Sequence, residues 1–103
     1  MINKYRLVLE FSGDDLEIYD RVVAFEKRLI ADLEIGEIDG HDAGEGVMNV
    51  YIDTRDPREC FKKTMNMIND MREELSAAGF RRLDGDEYER LWPEDDSTPF
   101  VLK

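Results

Sequence analysis

The sequence predicts a ferredoxin-like α+β sandwich: two helices on one face of an antiparallel sheet, with an extra C-terminal β-hairpin arm. Three observations predict it. Short segments of alternating apolar and polar residues, typical of half-buried strands, are separated by two longer segments with apolar residues at helical spacing. Their order along the chain is β-α-β-β-α-β. Two right-handed β-α-β crossovers joined by a hairpin form such a sandwich, with the first and third strands at its centre.

The first strand and the first helix follow each other directly. Residues 4–11 alternate, and the apolar face of this strand consists of Tyr5, Leu7, Leu9 and Phe11. Ser12 is expected to cap a helix over residues 13–33, with Asp15 three residues further on. Phe25 lies off the apolar stripe of this helix and is expected to be partly exposed. The stripe consists of Leu16, Tyr19, Val22, Val23, Leu29, Ile30 and Leu33.

A glycine-rich acidic segment joins the next two strands. The second strand is predicted near residues 35–40, at an edge of the sheet, because its alternation is weak and Gly36 lowers strand propensity. Residues 42–46 are expected to form the connection, since their glycines permit positive φ angles. The third strand is predicted at residues 47–53. Its two faces present Met48, Val50 and Ile52 on one side and Asn49, Tyr51 and Asp53 on the other.

The second helix has the clearest start in the chain. Asp56 suits the N-cap, Pro57 the first helical position, and Glu59 the reciprocal place of a capping box. The apolar stripe that follows continues to Ala78. Gly79 is therefore expected to end this helix in the left-handed conformation.

A hairpin and a tail are expected after the second helix. Short strands are predicted at residues 80–83 and 88–92, with Asp84 and Gly85 at the tip of the turn. Residues 93–103 form an acidic C-terminal tail, whose last residues either add an edge strand or dock on the body. The whole chain is expected to be a single α+β domain.

The net charge of −11 is the strongest feature of the composition. Such a surface repels phosphate groups, so neither nucleic acid nor membrane is expected as a partner. It favours a basic protein partner or a cation, or it serves solubility alone. No apolar run approaches the roughly 18 residues of a membrane-spanning helix, and the first residues alternate like a strand rather than a signal peptide. A cytoplasmic location is expected, and the single cysteine, Cys60, agrees with a reducing compartment.

The segment between the second and third strands contains the only histidine of the chain. Asp39, His41, Asp42 and Glu45 lie close together and combine carboxylates with an imidazole, a set that could hold a divalent cation. The spacing matches no calcium loop, and no second histidine completes a zinc site, so no metal site is predicted. No lysine or helix start follows the glycines, and Glu45 repels anions, so no phosphate site is predicted either.

A second candidate region is the sheet face that the helices leave uncovered. Arg6, Asn49 and Tyr51 would share this face if the first and third strands pair, together with Lys4 and Asp53. Polar groups beside an aromatic ring suit a binding platform. In ferredoxin-like folds this face often presents a ligand site, a partner contact or a dimer contact, which is an argument by analogy. A solvated face with cross-strand ion pairs explains the same pattern.

No catalytic residue and no cofactor are predicted. His41 could act as a general base, but no nucleophile in the sequence pairs with it. Cys60 lies in the first turn of the second helix, where the helix dipole lowers the pKa of a thiol. It also lies on the apolar stripe of that helix, so burial is the expected outcome.

Two stretches resemble a group of small uncharacterised bacterial proteins. They are DGHDAGEGVMNVYIDTRDP (39–57) and FRRLDGDEYERLWP (80–93). The resemblance implies a stand-alone ferredoxin-like domain with no assigned activity, and it transfers no catalytic residue. In size and charge the chain is also similar to acidic immunity proteins that neutralise toxins.

These observations together predict a binding domain for a protein partner or for a second copy, with an immunity-type role as one specific form. The alternative is a small-molecule binder or minor enzyme that uses the His41 loop and the Tyr51 face. That alternative requires a concave site in which His41, Asn49 and Tyr51 converge.

Overall fold

The computed structural model of the chain describes residues 2–102. In chain order its elements are β1 (Tyr5–Ser12), α1 (Leu16–Asp32), β2 (Gly36–Gly44), β3 (Val47–Thr54), α2 (Pro57–Met67), a 3-10 helix (Asn69–Glu74), β4 (Leu75–Arg82) and β5 (Glu89–Trp92). The strands of this part of the chain form one antiparallel sheet in the order β2-β3-β1-β4-β5. Within residues 2–102, no helix combines the length and the apolar character that crossing a bilayer requires.

The hydrophobic core lies between one face of the sheet and the two α-helices. β1 is the central strand and pairs with β3 on one side and β4 on the other. The alternation predicted for β1 and β3 is confirmed, because their apolar faces point into this core. The strand residues that are completely buried there are Leu7, Leu9, Phe11, Met48, Val50 and Ile52. The α+β class, with helices packed on an antiparallel sheet, is therefore confirmed.

The first helix turns a different face toward the core than the one predicted, and it starts later in the chain. Asp15, not Ser12, is the N-cap, and its carboxylate accepts a hydrogen bond from the Ile18 amide at 2.9 Å. Phe25 was expected to be partly exposed but is completely buried, because it packs edge-to-face on Phe11 with ring centroids 6.0 Å apart. Leu16, which belonged to the predicted stripe, is 75% exposed. The apolar side chains that α1 buries are Ile18, Val22, Phe25 and Leu29.

The second helix starts as predicted but ends much earlier. The Asp56 carboxylate caps it by accepting from the Glu59 amide at 3.1 Å. The helix stops at Met67, and Asn69 takes a positive φ of 53°. The prediction that it continues to Ala78 was wrong because that stretch pairs with β1 as strand β4. Gly79 is consequently not a helix cap but the middle of a strand, opposite Val8.

The tail docks on the sheet instead of adding a strand. Phe100 is only 4% exposed and packs with Val8 and Ala77 on the face opposite the helices, which we call the open face. The Arg90 guanidinium holds the segment, since its Nε donates to the Thr98 carbonyl at 2.8 Å and it also contacts the Phe100 ring. The tail therefore covers the part of the open face formed by β1 and β4.

Candidate functional site

The part of the open face beyond the tail presents a connected set of polar side chains on β1, β2 and β3. Arg6 and Asp53 are register partners across β1 and β3, and Asp42 and Asn49 are partners across β2 and β3. Cross-strand partners have side chains on the same face, so the register brings these groups together. We call this set the Arg6 cluster; it consists of Arg6, Asp39, Asp42, Asn49, Tyr51 and Asp53.

A bulge in β2 decides which of its side chains join the cluster. Ile38 pairs with Ile52 and Gly40 pairs with Tyr51, so one extra residue, Asp39, is inserted between them. Gly40 has a φ of 125°, a conformation that favours glycine. Because successive side chains of a strand alternate between faces, a one-residue insertion exchanges the faces of every residue that follows.

Arg6 is the centre of the cluster and contacts two carboxylates. Its Nε and Nη2 donate to the two oxygens of Asp53 at 2.9 and 3.3 Å, and Nη2 also donates to Asp39 at 2.7 Å. The guanidinium lies over the Tyr51 ring at 5.5 Å from its centroid. The hydrogen bond to Asp53 is the largest cause that raises the pKa of Arg6, with further contributions from the charges of Asp53 and Asp39.

Asp42 anchors the other half of the cluster. Its two oxygens accept hydrogen bonds from the Tyr51 hydroxyl at 2.6 Å and from the Asn49 amide at 3.2 Å. Burial raises the pKa of Tyr51, and the hydrogen bond to Asp42 raises it further. Tyr51 is thus held protonated as a donor and is not suited to act as a base. The cluster as a whole contains three carboxylates and one guanidinium, an excess of two negative charges: Arg6 holds Asp39 and Asp53, and Tyr51 and Asn49 hold Asp42.

His41 lies on the other face of the sheet, apart from the Arg6 cluster. Its register partner is Val50, whose side chain belongs to the core. The His41 Nδ1 lies 3.0 Å from a carboxylate oxygen of Glu26 on α1, and its Nε2 lies 3.4 Å from the Tyr19 hydroxyl. The concave site in which His41, Asn49 and Tyr51 converge is therefore not formed, because the sheet separates them.

Glu26 is the residue of this region that the sequence analysis missed. Its side chain is only 11% exposed, and it holds the His41 ring against α1. A signal was present in the sequence, since Glu26 lies four residues after Val22 and three before Leu29, on the buried side of α1. A charged residue at such a position is rarely buried without a partner of opposite charge or a hydrogen-bonding partner. The single histidine of the chain was a candidate for that partner.

The remaining candidates do not form a metal or thiol site. Glu45 lies in the turn between β2 and β3 with a φ of 54°, exposed and outside the Arg6 cluster. Within residues 2–102, no group of three or more His, Cys, Asp or Glu side chains is placed to hold a metal ion. Cys60 is completely buried as expected, and burial raises the pKa of its thiol to about 11. Desolvation is the largest cause, and hydrogen bonds with Thr54 and Thr64 act in the opposite direction.

Comparisons with models of protein families, with curated proteins and with solved structures found no match to this chain. The resemblance to small bacterial domains therefore stays a prediction.

Proposed function

We propose that this chain is a protein-binding domain that holds a basic segment of a partner on the Arg6 cluster. The observation behind the proposal is the fixed excess of carboxylates on the open face, next to the edge strand β2. Asp39 is 53% exposed while its carboxylate is held by Arg6, so it presents an oriented negative charge to solvent. Hydrogen-bonded and pre-oriented charges lose little conformational entropy when a partner binds.

The net charge of −11 supports a basic partner over a second copy. An acidic surface raises the association rate of a basic protein, whereas two chains of the same large charge repel each other. Self-association is the second form of the proposal and would require charges of opposite sign to meet. Neutralisation of a basic toxin is one specific case of the first form.

We also propose that the chain has a ferredoxin-like fold and a cytoplasmic location. The order β2-β3-β1-β4 and the β-α-β crossovers support assignment to the ferredoxin-like class, with β5 as a fifth strand added at one edge. One buried cysteine supports a reducing compartment such as the cytoplasm.

A basic peptide tests the proposal directly. We would titrate the isotope-labelled chain with a heptapeptide of alternating lysine and valine and follow the backbone amide signals. The expected shifts concentrate on β2 and β3, and the affinity falls about tenfold between 50 and 300 mM salt. Asp39→Asn is expected to weaken binding by about threefold or more.

Asp84→Asn is the matched control for this experiment. Asp84, like Asp39, is an exposed aspartate whose carboxylate contacts an arginine, in its case Arg82 at 3.0 Å. The control is expected to change the affinity by less than about twofold. Equal effects of the two substitutions, or shifts spread over the whole surface, would show that the acidic residues serve solubility and not a defined site.

A further inference from the structure

A second surface, at the edge of the sheet opposite the Arg6 cluster, is positively charged where that cluster is negative. It is a groove of about 440 Å³ between α2 and β5. We call it the α2 groove; the residues that define it are Arg58, Phe61, Lys62, Met65, Arg72 and Trp92. None of them belongs to the Arg6 cluster, so the two surfaces can be tested separately.

The floor of the α2 groove is apolar. Phe61 and Met65 are one turn apart on α2, and both pack against the margin of the core while part of each side chain stays exposed. The Trp92 ring of β5 lies beside Phe61 with the ring centroids 6.4 Å apart. These three side chains leave an open apolar strip along the flank of the molecule, wide enough for a large side chain of a ligand.

Cations line this strip in a chain that is otherwise strongly acidic. Arg58 is held over the Phe80 ring and forms an ion pair with Glu89, and Arg72 donates to the Met65 carbonyl at 3.3 Å. Lys62 is exposed and forms no ion pair with any of residues 2–102. Glu94 also lines the groove, and Glu89 pairs with Arg58 beside it. Three cations against these two carboxylates leave the groove positive by one charge.

We propose that the α2 groove binds an acidic peptide segment of a partner protein that carries one large apolar side chain. The apolar side chain packs on Phe61, Met65 and Trp92, and the flanking carboxylates reach Lys62 and Arg72. A second copy is a poorer occupant than a short acidic segment, since the long-range repulsion by a chain of charge −11 grows with the charge of the ligand, and the short segment brings few charges outside the groove. Charge complementarity with an acidic segment therefore selects the occupant.

Trp92 provides the readout because it is the only tryptophan of the chain and lies in the groove. The probe is a heptapeptide of alternating aspartate and glutamate around a central phenylalanine. Its binding is expected to change the tryptophan emission in a saturable way. Replacing the central phenylalanine by serine is expected to weaken binding about tenfold, because the apolar anchor is lost.

Lys62→Glu and Lys27→Glu form a matched pair of variants. Both lysines are exposed on a helix, but Lys27 lies on α1, outside the groove. Lys62→Glu is expected to weaken binding about fivefold or more, and Lys27→Glu by less than about twofold. Both variants change the net charge equally, so a difference between them reports position.

Several outcomes would overturn this inference. They are equal effects of the two variants, equal affinity of the phenylalanine and serine peptides, or no saturable emission change up to about 1 mM peptide, the weak end of specific recognition. Sedimentation at low salt completes the test. A dimer that Lys62→Glu abolishes and Lys27→Glu preserves would replace the acidic peptide by a second copy as the occupant.

Discussion

At the scale of single residues, the pKa of Tyr51 is set by its burial and by a neighbouring carboxylate. Its hydroxyl donates to Asp42 at 2.6 Å, and both burial and this carboxylate raise the pKa of the phenol. The nearby Arg6 guanidinium acts in the opposite direction but is the smallest of these influences. The folded chain therefore holds the Tyr51 proton more tightly than the unfolded chain, in which a tyrosine has an ordinary pKa of about 10.

This difference predicts a loss of stability at alkaline pH. Below about pH 10 the phenol is protonated in both states, and its contribution to the free energy of unfolding is fully present. As the pH rises above that value, the unfolded chain releases the proton first and the contribution is lost. Urea unfolding between pH 8 and 11 is expected to show this decline for the natural chain and a smaller decline for Tyr51→Phe.

Tyr19→Phe is the control for the alkaline experiment, because Tyr19 is 40% exposed and its hydroxyl does not contact a carboxylate among the described residues. The control is expected to keep the decline of the natural chain. An identical decline in all three proteins would mean that Tyr51 is neither buried nor hydrogen-bonded to Asp42 in solution as it is in this structure.

At the scale of elements, β4 and the tail depend on each other through one glycine. Gly79 lies under the Phe100 ring, and a Cβ atom added there would be 2.6 Å from Phe100 Cγ and 3.0 Å from the Glu89 carbonyl oxygen. The absence of a side chain at Gly79 is what allows the tail to close over β1 and β4. The sequence pattern instead suggested a helix end, because a glycine after a helical stripe is the usual form of a C-cap.

Gly79→Ala is therefore expected to destabilise the fold by about 2 kcal/mol, a typical cost of overpacking. Phe100→Ala is expected to cost about 3 kcal/mol through the loss of a buried ring. The double variant should lose less than the sum, since removing the ring removes its clash with the new Cβ. Urea denaturation of the four proteins measures this coupling. Strict additivity would contradict the packing of Phe100 on Gly79.

At the scale of the whole molecule, the charge is distributed unevenly between the two edges of the sheet. The Arg6 cluster beside β2 is negative, and the α2 groove beside β5 is slightly positive. The chain as a whole carries −11 charges on 103 residues, so repulsion among carboxylates opposes its compact state. Ion pairs such as Arg6 with Asp53 act against this repulsion but, among residues 2–102, involve fewer than half of the 25 Asp and Glu side chains.

Added salt is therefore expected to stabilise this protein. Raising sodium chloride from about 20 to 500 mM shortens the screening length from roughly 20 to 4 Å and weakens the repulsion more than the close ion pairs. The melting temperature at pH 7 should rise by several degrees, on the order of 1 kcal/mol for a domain of this size. A falling melting temperature in calorimetry would mean that the exposed ion pairs outweigh the repulsion.

Some elements could be predicted because their signals are local. β1 and β3 alternate without interruption, and Asp56 with Pro57 starts α2 as expected. The end of α2 could not be predicted in the same way. The stretch from Leu75 to Gly79 contains residues that suit a helix, and its strand conformation comes from pairing with β1, more than 60 residues away in the chain.

The candidate site shows the same division between local pattern and tertiary contact. Arg6, Asn49 and Tyr51 share a face because strand alternation is a local property of β1 and β3. His41 and Asp42 follow a bulge at Asp39, whose presence depends on how β2 pairs with β3. Alternation past a one-residue insertion is reversed, so pairing with β3 placed Asp42 in the Arg6 cluster and His41 against Glu26.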